Sequence, residues 1–214
     1  MPVLLAASKA TLKYLDHDGE VFACKDIELE IDEGEFLGIL GPSGSGKSSL
    51  LYILSGLKTP TSGAVSVDSD NLSDLSDEKR SQLRLSSFGF VFQQPYLLGY
   101  LSALENVLIS DRSGPEEAIN LLDRLEMKEK MHRLPHELSG GERQRVCVAR
   151  ALQGKPRVIF ADEPTASLDH KNGLAVVELL NENRGNGALV MVTHDPSMLK
   201  KADRIVKIED GQLV

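Results

Sequence analysis

Apolar positions along the first forty residues fall into strand spacing. Ile27, Leu29 and Ile31 alternate with acidic residues, Asp32 to Gly34 supplies a turn, and Phe36–Leu40 forms a compact apolar run. This pattern predicts a half-exposed antiparallel strand followed by a buried one. After a glycine-rich turn, Leu50, Leu51, Ile53, Leu54 and Leu57 recur at helical spacing up to a breaker region at 58–63, and Val65 and Val67 then alternate again. The stretch from Asp68 to Ser87 is polar and serine-rich, with a helix expected after Ser76, where Asp77 and Glu78 favour a helix amino end. Strand character returns at Phe88–Phe92. Between Pro115 and Met131, residues Ala118, Leu121, Leu122 and Leu125 share one helical face, which predicts a helical subdomain in the middle of the chain. Beyond it, Val146–Leu152 continues a helix, and Val158–Ala161 and Leu189–Val192 read as buried parallel strands. Ile205–Ile208, Asp210-Gly211 and Leu213 read as a closing hairpin. The order is that of an α/β protein.

Composition narrows the function classes. The 214 residues correspond to one or two domains at about 150 residues each. With 41% hydrophobic and 26% charged residues, the chain has the composition of a folded domain. Lys plus Arg number 24 against 32 Asp plus Glu, a net charge of −8, so the basic footprint of a nucleic-acid binder is missing. No apolar run approaches the ~20 residues of a membrane-spanning helix. The opening MPVLLAASKA lacks the basic segment of a signal peptide, and the two cysteines, Cys24 and Cys147, have neither disulfide nor zinc-site spacing. A reducing cytoplasm is expected.

Candidate chemistry begins at residues 41–48, GPSGSGKS, which fit G-x-x-x-x-G-K-[ST] directly between the apolar strand and the leucine-rich helix. Gly41, Gly44 and Gly46 allow the backbone to curl so that consecutive amide N–H groups of the loop, which also holds Pro42, Ser43, Ser45 and Ser49, point at an anion, and the following helix adds its positive end. Lys47 is expected to reach the β- and γ-phosphates of a nucleotide, and the Ser48 hydroxyl to coordinate Mg²⁺. Residues 158–163, VIFADE, form an apolar strand ending in two carboxylates. Asp162 is placed to hold Mg²⁺ through water, and Glu163 to face a water attacking the γ-phosphate. These two motifs leave kinases, GTPases and motor ATPases open.

Residues 138–142, LSGGE, continuing as RQRVCVARAL, resemble the signature of the ATP-binding subunits of ABC transporters. Physically, Ser139, Gly140 and Gly141 open a helix and make a second phosphate cradle about ninety residues from the first. The resemblance implies that two copies pack head to tail, each Ser139 segment closing over ATP held by Lys47 of the other. It implies further roles in order along the chain: Tyr14 stacking on adenine, Gln93 (with Gln94 as the neighbouring alternative) touching Mg²⁺ and the attacking water, His194 contacting the γ-phosphate, and Asp169 crossing the dimer interface. The family fold is a P-loop NTPase core with a parallel sheet, an amino-terminal antiparallel β-subdomain and an α-helical subdomain. It assigns 1–92 and 155–214 to the first two and 93–154 to the third.

The resemblance covers the chain from Tyr14 to Gly211 and implies an ATPase powering a separate membrane permease from the inner face of the cell membrane, with no carboxyl-terminal regulatory domain. The apolar segment Pro95–Leu101 is expected either to belong to the groove that receives a cytoplasmic helix of that permease or to the core of the helical subdomain. FGFVFQQ, Ala103-Leu104-Glu105-Asn106-Val107, ADEPTASLD and VTHD look like the subgroup serving macrolide export, lipoprotein release, haem efflux, antimicrobial-peptide resistance and cell division. Pro95 and a short segment between Val107 and Leu138 depart from that subgroup near the partner surface. An exporter or mechanotransmission system is expected, with force-transmitting signalling without cargo as the alternative.

Overall fold

The computed structural model describes residues 2–16, 19–68, 70–110 and 114–214. Two sheets carry the architecture. The long hairpin β1 (Val3–Asp16) and β2 (Gly19–Asp32) leads into β3 (Phe36–Leu40), helix α1 (Lys47–Leu54), β4 (Ser62–Val67), the short β5 (Asp70–Asn71), α2 (Asp77–Ser87) and β6 (Phe88–Val91). Helices α3 (Ala103–Leu108), α4 (Pro115–Arg124) and α5 (Gly140–Leu152) follow, then β7 (Val158–Asp162), α6 (His170–Asn183), β8 (Ala188–Thr193), β9 (Arg204–Glu209) and β10 (Gln212–Leu213). The smaller sheet has the order β2-β1-β4-β5 and is antiparallel. The larger has the order β10-β9-β3-β8-β7-β6, parallel except for the terminal β9–β10 hairpin.

Alternation along the parallel strands divides the core in two. Phe36, Val91, Ile159, Ala161, Leu189 and Met191 point to one face and pack with α3, α4, α5 and α6. Leu37, Ile39, Phe88, Phe160, Val190 and Val192 point to the other and pack with α1 and the antiparallel sheet. Both faces of the parallel strands are therefore covered, which is why the sequence shows uninterrupted apolar runs there instead of alternation. Ile27, Leu29 and Ile31 of β2 are buried while their acidic neighbours face out, as their spacing predicts.

Helix starts follow their capping residues. Ser76 accepts from the Lys79 amide ahead of α2, and Ser102 and Glu105 close a capping box ahead of α3. Two helix ends differ from the periodicity. The helical face read between Pro115 and Met131 extends to Leu125, but α4 stops at Arg124 because Glu126 turns into the left-handed region (φ +57°) and the Met127 amide bonds back to Leu122 O at 2.7 Å. That closure buries Met127 and starts a separate turn at Lys128–Lys130. Likewise α1 ends at Leu54, and Gly56 (φ +65°) swings Leu57 off the helix to a half-exposed position.

Candidate nucleotide site

Strand β3 runs out beside Thr193 of β8 and Lys207 of β9, and the chain turns through residues 41–46 into α1. Gly46 sits at the helix start with φ +101°, and a Cβ there would lie 2.1 Å from the Ala23 carbonyl oxygen, so no other residue fits. The loop is pinned by Ser45 N–H to Pro42 O at 3.2 Å and Gly211 N–H to Ser45 O at 3.0 Å. No side chain caps α1 and its first turn holds no acidic residue, so its amino end is free to face an anion. Lys47, 8% exposed, folds over the loop and donates to Gly41 O at 2.9 Å and Pro42 O at 2.7 Å.

This loop forms one wall of a cavity of about 530 Å³, to which Ser43, Gly44, Gly46, Lys47, Ser48 and Ser49 contribute. Gln93, Glu163 and His194 also line it, so residues of three further sequence motifs meet the loop there. An adjoining cavity of about 560 Å³ is shared by Ser48, Tyr52, Gln93, Gln94 and Asp162. Gln93 borders both cavities and Gln94 only the second.

The acidic groups stand at the carboxyl end of β7, where ligands of open α/β sheets gather. Asp162, 3% exposed, accepts from Ser48 Oγ at 3.0 Å and from Tyr52 Oη at 3.4 Å. Burial is the main cause pushing its carboxyl pKa up, the Ser48 hydrogen bond opposes this, and the Glu163 charge adds to the rise. The Tyr52 hydroxyl is pushed up as well, by burial first and then by the Asp162 charge. Glu163 adopts φ +47°, unusual for a residue with a side chain, and its amide is held by Val192 O at 2.9 Å. Its carboxylate takes the Thr193 hydroxyl at 3.2 Å and lies 2.9 Å from His194 Nδ1. Glu163 is nearly buried, whereas the His194 side chain is 69% exposed and open to a ligand. A hydroxyl beside a carboxylate suits a hard divalent cation, and among the described residues no group of three His, Cys, Asp or Glu side chains could hold a metal alone.

Three further sequence candidates lie elsewhere. Tyr14 pairs with Val21 across the β1–β2 hairpin, with Lys58 Nζ 5.9 Å from its ring, and it does not line the cavity. The wall on that side is Val21, Phe22 and Ala23, which sequence reasoning had not singled out. Ser139 and Gly140 stand exposed at the start of α5. Ser139 Oγ accepts from the Glu142 amide at 3.3 Å, and Glu142 returns a carboxylate oxygen to the Ser139 amide at 2.8 Å. Lys130 takes the other oxygen, and the two contacts, Lys130 foremost, hold the Glu142 carboxyl down at about 2. Asp169 caps α6 by accepting from the Asn172 amide at 3.0 Å. Neither Ser139, Gly140 and Gly141 nor Asp169 borders the two cavities.

In the segment Pro95–Leu101, Tyr96, Leu98 and Tyr100 are exposed while Leu97 packs on the core. Fully buried Asn106, beyond the residues named as functional from sequence, holds this segment by accepting from the Leu98 amide at 2.8 Å and donating to Leu101 O at 2.9 Å. Tyr96 also borders a third cavity of about 680 Å³ with Leu57, Leu85, Ile109 and Arg150.

A glycine-bent loop at a helix start, a Ser–Asp pair and a Glu–His pair, all at the carboxyl ends of parallel strands, define a P-loop nucleotide hydrolase. The sequence profile of the ABC transporter family matches residues 24–166. An uncharacterized ABC transporter ATP-binding protein of Methanocaldococcus jannaschii is 42% identical over 205 residues, 92% of each chain. The lipoprotein-releasing system ATP-binding protein LolD of Legionella pneumophila is 39% identical over 220 residues, covering 99% of this chain and 97% of its own. The fold superposes with a TM-score of 0.92, at 37% identity and 98% and 96% coverage, on a dimeric structure of the ATP-binding cassette MJ0796 in a post-hydrolysis state bound to ADP and phosphate. The chain belongs to the ABC transporter family and is an ATP-binding subunit with ATPase activity. Among the described residues, no helix is long and apolar enough to cross a membrane.

Proposed function

We propose that this subunit binds ATP between two copies of itself and uses closure and hydrolysis to move a separate membrane permease. One observation carries the reading. Lys47, Ser48, Asp162, Glu163 and His194 converge on two adjoining cavities, while the second glycine-led helix start, at Ser139, borders neither of them. A ligand held by the first can meet the second only if another molecule brings it. The dimeric MJ0796 structure supports that arrangement.

Within the site, the curled backbone at 41–49 and Lys47 hold the phosphates. The Ser48 hydroxyl and Asp162 carboxylate fit Mg²⁺ together with phosphate oxygens, and the ion would neutralise charge on the transferring phosphoryl group. Glu163 accepts the proton of the attacking water, and His194, 2.9 Å away, orients that carboxylate and reaches the γ-phosphate. Gln93 senses the same region, with Gln94 as the alternative. The adenine rests on the β1–β2 hairpin, against Phe22 with Tyr14 at its edge. Ser139, Gly140 and Gly141 of the second copy close over the γ-phosphate, and Asp169 lies along the interface between copies.

Residues 93–154 act as a helical subdomain, and the apolar cavity beside Tyr96 receives the permease. Similarity to LolD and, at 42% identity over 32% of its length, to the macrolide export ATP-binding/permease protein MacB of Campylobacter jejuni supports a membrane partner and a place on the cytoplasmic face. Glu163→Gln in the presence of Mg²⁺ and ATP tests the reading. Retained ATP and a dimer in size-exclusion chromatography are expected, and a monomer that hydrolyses ATP at the wild-type rate would overturn it.

A further inference from the structure

Helix α5 does more than present Ser139. The segment Phe92–Tyr96 leaves β6 without regular structure, so its backbone groups lack ladder partners, and α5 supplies them from one face. Gln144 Nε2 donates to Phe92 O at 3.0 Å, and Arg150 donates to Pro95 O at 2.6 Å and Tyr96 O at 2.8 Å. Between them, the Cys147 thiol accepts from Arg150 Nη2 at 3.6 Å. Residues three apart on a helix share a face, so 144, 147 and 150 form a single grip about two turns long.

What the grip holds is the piece of chain that touches both ends of the machine. Gln93 borders the two nucleotide cavities, and Tyr96 borders the apolar cavity beside Leu85 and Ile109. Gln144 is 1% exposed, and its Oε1 is buried with no hydrogen-bond partner. An amide half-satisfied in an apolar core is costlier than a methionine of similar shape would be, so its presence signals a directed contact and not filling.

We infer that Gln144, with Arg150, is a positioning residue that locks the Gln93 segment to α5, so that Gln93 and Ser139 move as one rigid body between the nucleotide and the apolar cavity. The inference rests on the catalytic reading of Gln93 above and names the side chains through which that residue is coupled.

The test is Gln144→Met, which keeps volume and removes the Phe92 contact, made in the wild-type chain and in Gln93→Ala. The kcat for ATP hydrolysis is expected to fall about tenfold in the wild-type background and by less than about twofold in Gln93→Ala, because coupled residues are not additive. KM for ATP stays within about twofold. Hydrogen exchange of peptides spanning 92–98 is expected to quicken about tenfold while the rest of α5 is unchanged. If Gln144→Met does not fold, Arg150→Met, which removes the donors to both the Pro95 and Tyr96 carbonyls, is read by the same exchange measurement. An unchanged exchange rate at 92–98, or an equal fall in kcat in both backgrounds, overturns the inference. Wild-type kcat in Gln93→Ala alone would instead remove the catalytic role of Gln93, and the grip would then stand or fall on the exchange rates.

Discussion

Two helices in this molecule begin on glycines and serine, and they are built for opposite situations. The start of α1 is enclosed: Lys47 and Gly46 are packed under the β1–β2 hairpin, Asp162 and Glu163 stand beside it, and no side chain caps the helix. The start of α5 is open and already satisfied, with Ser139 and Glu142 closing a box and Lys130 holding Glu142 from the side. The first leaves amides unpaired so that a ligand must complete them. The second is pre-ordered, so a ligand delivered from outside meets a rigid surface and loses little entropy in ordering it. The one carboxylate in the first turn of α5, Glu142, is tied to the Ser139 amide and to Lys130, so this helix start offers no free base.

Substitutions on the two sides separate these roles. The largest effect belongs to Glu163→Gln, which keeps the Thr193 contact and removes the proton acceptor. Phosphate release should fall on the order of 10³-fold while ATP stays bound. Lys47→Ala should weaken ATP binding to the isolated subunit about 10²-fold, measured by titration calorimetry, because a buried charge-assisted contact is lost. Wild-type affinity would remove Lys47 from the phosphates. Ser139→Arg should lower turnover by roughly tens-fold and leave ATP binding by a single subunit unchanged. Equal loss of both would erase the contrast between the helix starts.

The smallest effect sharpens the comparison by testing pre-ordering itself. Lys130→Ala should cost about 0.2–1 kcal/mol, as expected of a solvent-accessible pair, read as a small fall in melting temperature. Its pH dependence has a definite sign. The Glu142 carboxyl titrates near 4.5 when unfolded and near 2 when folded, so the contribution is complete above about 4.5 and disappears as pH falls to about 2. The difference in melting temperature between wild type and variant should therefore be constant near neutrality and close at acid pH.

Local motifs were legible wherever chemistry and chain order coincide. GPSGSGKS lies between its strand and helix because glycine geometry and helix polarity act over a few residues, and VIFADE ends where an apolar run meets two acids. Tyr14 and Phe22 were not separable in that way. They sit on opposite strands of one hairpin whose register shifts between Ala10, Leu12 and Lys13, and such bulges re-aim side chains without leaving a mark in the sequence. The left-handed turn at Glu126 was hidden for a related reason, since burial of Met127, a tertiary contact, favours it over continued helix.

The chain alone determined the fold class, the phosphate loop, the paired acids and the glycine-led signature, because each depends on neighbouring residues and on backbone rules that hold in any context. Tertiary structure decided what those parts face. Glu163 meets His194 thirty-one residues away, Ser48 meets Asp162 across 114 residues, and Gln144 reaches back to Phe92 across 52. Contacts of that separation exist only once the parallel sheet is assembled, since strand order and helix packing, and not local propensity, bring those side chains to the same edge.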